Sequence, residues 1–175
     1  YRAFRPSGVV VISHGFTENA EKYKEIVYYF IKEHFHVYLP EHCGHGKSYR
    51  LVDDPSLVYV DSYHRYVEDL LFVAGKIKAE AYGLPLVLYS HSMGGGIAAA
   101  AVAKAPHLFR KEVLSSPMIR PLTGGVPWHV AKAIAKTSCK VGREANYVVG
   151  QKPYKEPAKF EDSCSLSHAR FEYYE

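Results

Sequence analysis

In Ser90-His91-Ser92-Met93-Gly94, a serine stands between small residues two places away on either side. The string lies where the apolar run Leu86, Val87, Leu88, Tyr89 gives way to a stretch of Gly and Ala. A serine on a sharp strand-to-helix turn projects its hydroxyl clear of the sheet, as a nucleophile for acyl transfer must. Ser92 is therefore the candidate nucleophile, with Gly94 as a small neighbour that permits the tight turn. The competing reading is a serine that caps an ordinary helix. Acyl transfer also requires N–H donors aimed at the developing oxyanion. Ser13-His14-Gly15-Phe16 follows the apolar run Val9, Val10, Val11, Ile12, and in a parallel sheet the two strand ends share one edge. The backbone N–H groups of Phe16 and Met93 form the expected oxyanion pair, with Gly15 letting the chain bend. His14 reads as a histidine packed under the site, because it would approach Ser92 from the wrong side to act as base.

Pro40 to Ser48 forms a Gly-punctuated loop holding His42, Cys43 and His45. Two histidines and a cysteine suggest a metal site, but no second ligand pair of suitable spacing accompanies them, so no metal is expected. Asp162 and His168 follow Ser92 in the order a Ser-Asp-His triad needs, yet no buried strand precedes either. They are retained as candidates only. His91 and His129 carry no feature beyond surface or packing roles.

The elements that must position these groups follow from periodicity. Four consecutive β-branched residues, 9–12, read as a strand buried on both faces of a parallel sheet. Tyr23, Ile26, Val27, Phe30 and Ile31 recur at helical spacing, and residues 36–39 make a second strand closed by Pro40. Tyr63, Val67, Leu70, Leu71, Ala74 and Ile77 mark a further amphipathic helix before the strand at 86–89. The Gly/Ala stretch at 95–103 reads as a helix that lies close to the sheet and ends near Ala105-Pro106, and Val113 and Leu114 are the core of a fourth strand. The fold class is α/β with a doubly wound, mostly parallel sheet. Residues 1–117 read as its N-terminal part. Beyond Pro117 one helix, 128–136, and no strand pattern is expected, so residues 118–175 read as a cap over the sheet.

With 47% hydrophobic and 23% charged residues, the 175-residue chain has the composition of a globular domain. The net charge of +4 is mild and its basic residues are interleaved with acids, which excludes a nucleic-acid stripe. Cys43, Cys139 and Cys164 are too few and scattered for a disulfide framework, pointing to a reducing, cytoplasmic setting. No apolar leader or membrane-spanning run is present. From Ile119 onward nine Lys and Arg face six Asp and Glu, which suits peripheral contact with an anionic lipid surface.

Taken together, Ser13-His14-Gly15-Phe16, Gly44-His45-Gly46-Lys47-Ser48 and Ser90-His91-Ser92-Met93-Gly94-Gly95 resemble the monoacylglycerol lipase and lysophospholipase branch of the α/β-hydrolases, the serine aminopeptidase S33 type. The resemblance covers residues 1 to about 118 well and the cap loosely. It implies cofactor-free hydrolysis of acyl esters of glycerol or glycerophospholipids through a Ser-Asp-His triad, with Ser92 as nucleophile and Phe16 and Met93 at the oxyanion. Glu41 stands where the family usually has Asp, and Ser90 replaces the elbow's first glycine. In the family, the triad Asp and His follow strands beyond the cap, before which this chain stops. Its end at residue 175 therefore reads as that of a truncated enzyme, while Phe171-Glu172-Tyr173-Tyr174 reads as mid-helix.

The expected partner is a small acyl-ester lipid, with a membrane or micelle surface as a transient second one. Oligomeric state is not set by the sequence. Two other readings remain open: an esterase or thioesterase of other small acyl substrates, and a non-catalytic module on a hydrolase scaffold. Val126, Trp128, Val130 and Ile134 gather on one side of the cap helix, so Trp128 is expected at the lid.

Overall fold

A computed structural model describes residues 1–148, 153, 159–163 and 165–174, without the side chains of Asp162 and Tyr174. Four strands, β1 (Gly8–Ser13), β2 (Phe35–Tyr38), β3 (Leu86–His91) and β4 (Lys111–Ser115), make one parallel sheet in the order β2-β1-β3-β4. Parallel neighbours need crossovers. These are supplied by α1 (Lys24–Lys32), α2 (Tyr63–Glu80) and α3 (Met93–Lys104).

Every residue of β1 is buried, and its alternating side chains feed two separate cores. Val9 and Val11 join Val67, Leu70, Ala74 and Ile77 of α2 and Ile97, Ala98 and Ala101 of α3. Val10 and Ile12 face the other way, onto Tyr23 and Val27. Strand β1 is thus the sheet's fixed reference, and its C-terminal end carries His14 and Gly15. Ser62 caps α2 by accepting from the His64 N–H, one of the donors left over at a helix start.

Strand β4 forms around Val113 and Leu114 as expected, and the two are 46% and 39% exposed. Among the described residues β4 has β3 on one side and no strand on the other, so its apolar side chains lack a second layer. Beyond β4 the chain forms α4 (Trp128–Lys140), longer than the expected 128–136 and with no buried residue, then a 3-10 turn (Phe160–Asp162) and α5 (His168–Tyr174). Polar contacts among the described residues tie this region to the sheet-bearing part. The Tyr147 hydroxyl bonds Asp54 at 2.9 Å and Ser56 at 2.5 Å, and the Arg170 guanidinium pairs with Glu25 at 2.8 Å. Among the described residues, no helix is long and apolar enough to cross a membrane.

Candidate active site

Ser92 links β3 to α3 with φ 50° and ψ −119°, a left-handed backbone that a residue with a Cβ rarely adopts. Such strain, about 1–3 kcal/mol, persists only where the surroundings over-determine it. Here they do. The Ser92 N–H donates to Ser115 O at 3.1 Å, while its carbonyl accepts from Gly95 at 2.9 Å and Met118 at 2.7 Å. The end of β4 and the segment after it therefore clamp the turn from both sides.

The glycines after Ser92 are required for space. A Cβ at Gly94 would lie 2.1 Å from Ser13 O and 2.4 Å from His14 O. One at Gly95 would meet Pro117 Cβ at 2.7 Å, and one at Gly96 the Met118 carbonyl oxygen at 2.6 Å. The first turn of α3 thus sits directly on the end of β1, which brings Ser92 beside Gly15: a Cβ on Gly15 would be 3.2 Å from Ser92 Cβ. The two strand ends converge although 77 positions separate these residues.

Gly15 was expected to provide a bend, but the left-handed residue of the loop is Thr17, at φ 56°. What Gly15 supplies is room, since a Cβ there would stand 2.7 Å from Glu18 Oε2. Its N–H donates to Glu18 Oε2 at 2.7 Å and its carbonyl accepts from His14 Nδ1 at 2.8 Å. Among the described residues, the N–H groups of Phe16 and Met93 have no hydrogen-bond partner. Met93 opens α3, so its N–H is one of the donors that every helix start leaves free and adds the positive end of the helix dipole.

His14 is fully buried beneath this loop. Its Nε2 accepts from the His42 N–H at 2.9 Å, which puts the ring proton on Nδ1, facing Gly15 O. His42 Nε2 lies 3.0 Å from Ser13 Oγ, whose own proton goes to Gly94 O, so His42 is the donor there. His45 completes the cluster, 5.1 Å from His14 between ring centroids, and donates from Nδ1 to Cys43 O. Burial pushes all three imidazoles below their ordinary pKa, His42 furthest, with the neighbouring rings adding to the effect on His42. These histidines are neutral packing groups with assigned tautomers. Among the described residues, no three His, Cys, Asp or Glu side chains are arranged to hold a metal ion.

Two carboxylates not singled out as site residues from sequence hold the loops. Glu41 accepts from the Ala20 N–H at 2.9 Å and the Lys47 N–H at 2.6 Å, fastening the loop after β2 to the turn before α1. Glu18, 8% exposed at its side chain, accepts from Gly15, from the Tyr23 hydroxyl at 2.6 Å and from Lys22. Burial alone would raise the Glu18 pKa; hydrogen bonds from Lys22, Tyr23 and Gly15 outweigh it and hold the carboxyl below its usual value.

Of the two triad candidates, only His168 has a described side chain, and it does not join this cluster. The His168 ring stacks on Phe160 at 3.6 Å at the start of α5 and makes no hydrogen bond to Ser92. Asp162 ends a 3-10 turn, and its side chain lies outside the described residues. Trp128 opens α4, 38% exposed, with the Arg120 guanidinium 4.7 Å above its ring.

A parallel sheet with a strained serine at a strand-to-helix turn, beside the end of its central strand, defines the α/β-hydrolase class. The family model described as serine aminopeptidase, S33, matches residues 5–170, and the chain belongs to that family. It is 34% identical over 136 residues to a monoacylglycerol lipase of Mycolicibacterium smegmatis, covering 78% of this chain and 46% of that protein. It is also 34% identical over 119 residues to lysophospholipase L2 of Escherichia coli, covering 67% of this chain and 35% of that protein. Among solved structures, the monoacylglycerol lipase of Paleococcus ferrophilus matches with a TM-score of 0.60 at 26% identity, over 79% of this chain and 49% of that one. The chain therefore spans less than half the length of these relatives.

Proposed function

We propose that this chain carries the nucleophile and oxyanion site of a serine carboxylester hydrolase whose substrates are monoacylglycerols or lysophospholipids. The observation that carries the reading is the strained backbone of Ser92, packed against Gly15, together with the N–H groups of Phe16 and Met93, which have no hydrogen-bond partner among the described residues. Ser92 Oγ attacks the ester carbonyl, forming a C–O bond as its proton leaves to a base. The carbonyl oxygen becomes the oxyanion and accepts from Phe16 and Met93. Collapse expels the glycerol or glycerophosphate alcohol, which takes the proton, and leaves an acyl-Ser92 that water cleaves to the fatty acid.

Residues 1–117 then act as the hydrolase core and 118–175 as its cap. Val126, just before α4, and Trp128, Val130 and Ile134 within it are 38–47% exposed, and Lys132 and Lys136 lie on the same helix, which suits a lid that meets a lipid surface from the cytoplasmic side. Fatty-acid release from monooleoylglycerol and lysophosphatidylcholine by the full-length protein tests the reading. Ser92→Ala should lower the rate by at least about 10³-fold. A Ser92→Ala protein as fast as the parent refutes it.

A further inference from the structure

Gly15 lies between two peptide planes, and a buried side chain holds each of them. In the His14–Gly15 peptide, the N–H donates to Glu18 Oε2 at 2.7 Å. In the Gly15–Phe16 peptide, the carbonyl accepts from His14 Nδ1 at 2.8 Å. A trans peptide points its C=O and N–H in opposite directions, so fixing the Gly15 carbonyl downward on His14 aims the Phe16 N–H away from it. That leaves only the torsions at Gly15 to misdirect the donor, and glycine is the residue least able to restrict its own torsions. Glu18 removes this freedom. Its carboxylate is tied in turn by Tyr23 and Lys22, and its Oε1 lies 3.8 Å from His91 Nε2, next to the nucleophile.

We propose that Glu18 is the positioning residue of the oxyanion loop, working with His14 as a two-sided clamp that fixes the Gly15 peptides and thereby the direction of the Phe16 N–H. The proposal rests on the reading of Ser92 and Phe16 as acylation site and oxyanion donor. A free carboxylate this close to a developing oxyanion would oppose catalysis through its charge. Lys22, paired with it, offsets that charge, so the useful property of Glu18 is its acceptor oxygen.

The test uses the full-length protein, p-nitrophenyl butyrate and active-site titration with a fluorophosphonate. Glu18→Ala should lower kcat per titrated site about 10- to 100-fold, because removing an oxyanion donor outright costs about 10²–10³ and a loosened one somewhat less. KM should stay within about twofold. Glu18→Gln keeps an acceptor for Gly15 and should recover kcat to within about fivefold of the parent. Tyr23→Phe removes the hydroxyl that holds Glu18 and that also accepts from the Gly15 N–H at 3.3 Å; it keeps Glu18 itself, should lower kcat about three- to tenfold and keeps the test decisive where Glu18→Ala does not fold. Unchanged kcat per site in either Glu18→Ala or Tyr23→Phe, with only the melting temperature lowered, overturns the clamp. A fall in Glu18→Gln as deep as in Glu18→Ala overturns it too. If the parent is neither labelled at Ser92 nor dependent on it, the hydrolase reading fails first, an outcome distinct from an active, Ser92-dependent parent indifferent to Glu18.

Discussion

Replacing Gly94 by alanine adds a single methyl group where the structure has no room for it. The new Cβ would stand 2.1 Å from Ser13 O and 2.4 Å from His14 O, both backbone atoms of the fully buried end of β1. Restoring ordinary contact at 3.4 Å requires the start of α3 to move about 1.3 Å away from β1. That motion opposes the hydrogen bonds from Ser92 to Ser115 and from Met118 to Ser92. Overpacking of this kind costs about 1–3 kcal/mol. A displacement near 1 Å at a reacting group costs about 10²-fold in rate. Gly94→Ala should therefore lose about 1–3 kcal/mol in urea unfolding and about 10²-fold in kcat/KM on a p-nitrophenyl ester, with the activity loss persisting in the folded fraction. Gly75→Ala is the matched control, since nothing lies within 4 Å of its Cβ position in the middle of α2. It should stabilise the protein by about 0.5–1 kcal/mol. Equal stability and activity for Gly94→Ala and the parent would show that α3 does not rest on β1 as described.

Ser92→Gly should unfold at higher urea than Ser92→Ala by about 1–2 kcal/mol, inverting the usual preference for alanine, because glycine tolerates φ 50°; a less stable Ser92→Gly contradicts the strained turn. His14, His42 and His45 have folded pKa values below 6.5, so the unfolded chain binds protons first as the pH falls. Their contribution to stability is complete above pH 6.5 and declines below it by about 1.4 kcal/mol per pH unit for each ring that stays neutral. Urea midpoints between pH 7.5 and 5 should show the decline, and His14→Gln should flatten it. Trp128→Gln should lower kcat/KM on a long-chain monoacylglycerol far more than on a short soluble ester, and an equal fall on both assigns Trp128 to holding the cap together.

Strand β1 was legible because a strand buried on both faces reads as a continuous apolar run, and few other structures impose that pattern; β3, which alternates buried and half-buried residues, was legible from its apolar run Leu86, Val87, Leu88, Tyr89. The elbow at Ser92 was legible from its place between such a strand and a run of Gly and Ala. Val113 and Leu114 carried the same apolar signal, yet exposure depends on what packs beside a strand, and here one side of β4 has no strand among the described residues. Glu18 gave no signal. Nothing in Phe16-Thr17-Glu18-Asn19 distinguishes it from a solvated turn, and its role appears only when the loop folds back to place Gly15 over it. At Gly15, left-handed torsion and lack of room would each select glycine, and the 2.7 Å from its Cβ position to Glu18 Oε2 shows that room is what it supplies.

The most direct test of the account is covalent labelling of Ser92. Full-length protein treated with a fluorophosphonate, digested and mapped by mass spectrometry should carry one phosphonyl adduct, on the peptide containing Ser92 and on that residue. Labelling should disappear in Ser92→Ala and slow about 10- to 100-fold in Glu18→Ala, because the phosphoryl oxygen uses the same N–H donors as the ester oxyanion. An adduct on another serine, or equal labelling of parent and Ser92→Ala, would contradict the assignment of Ser92 as the nucleophile.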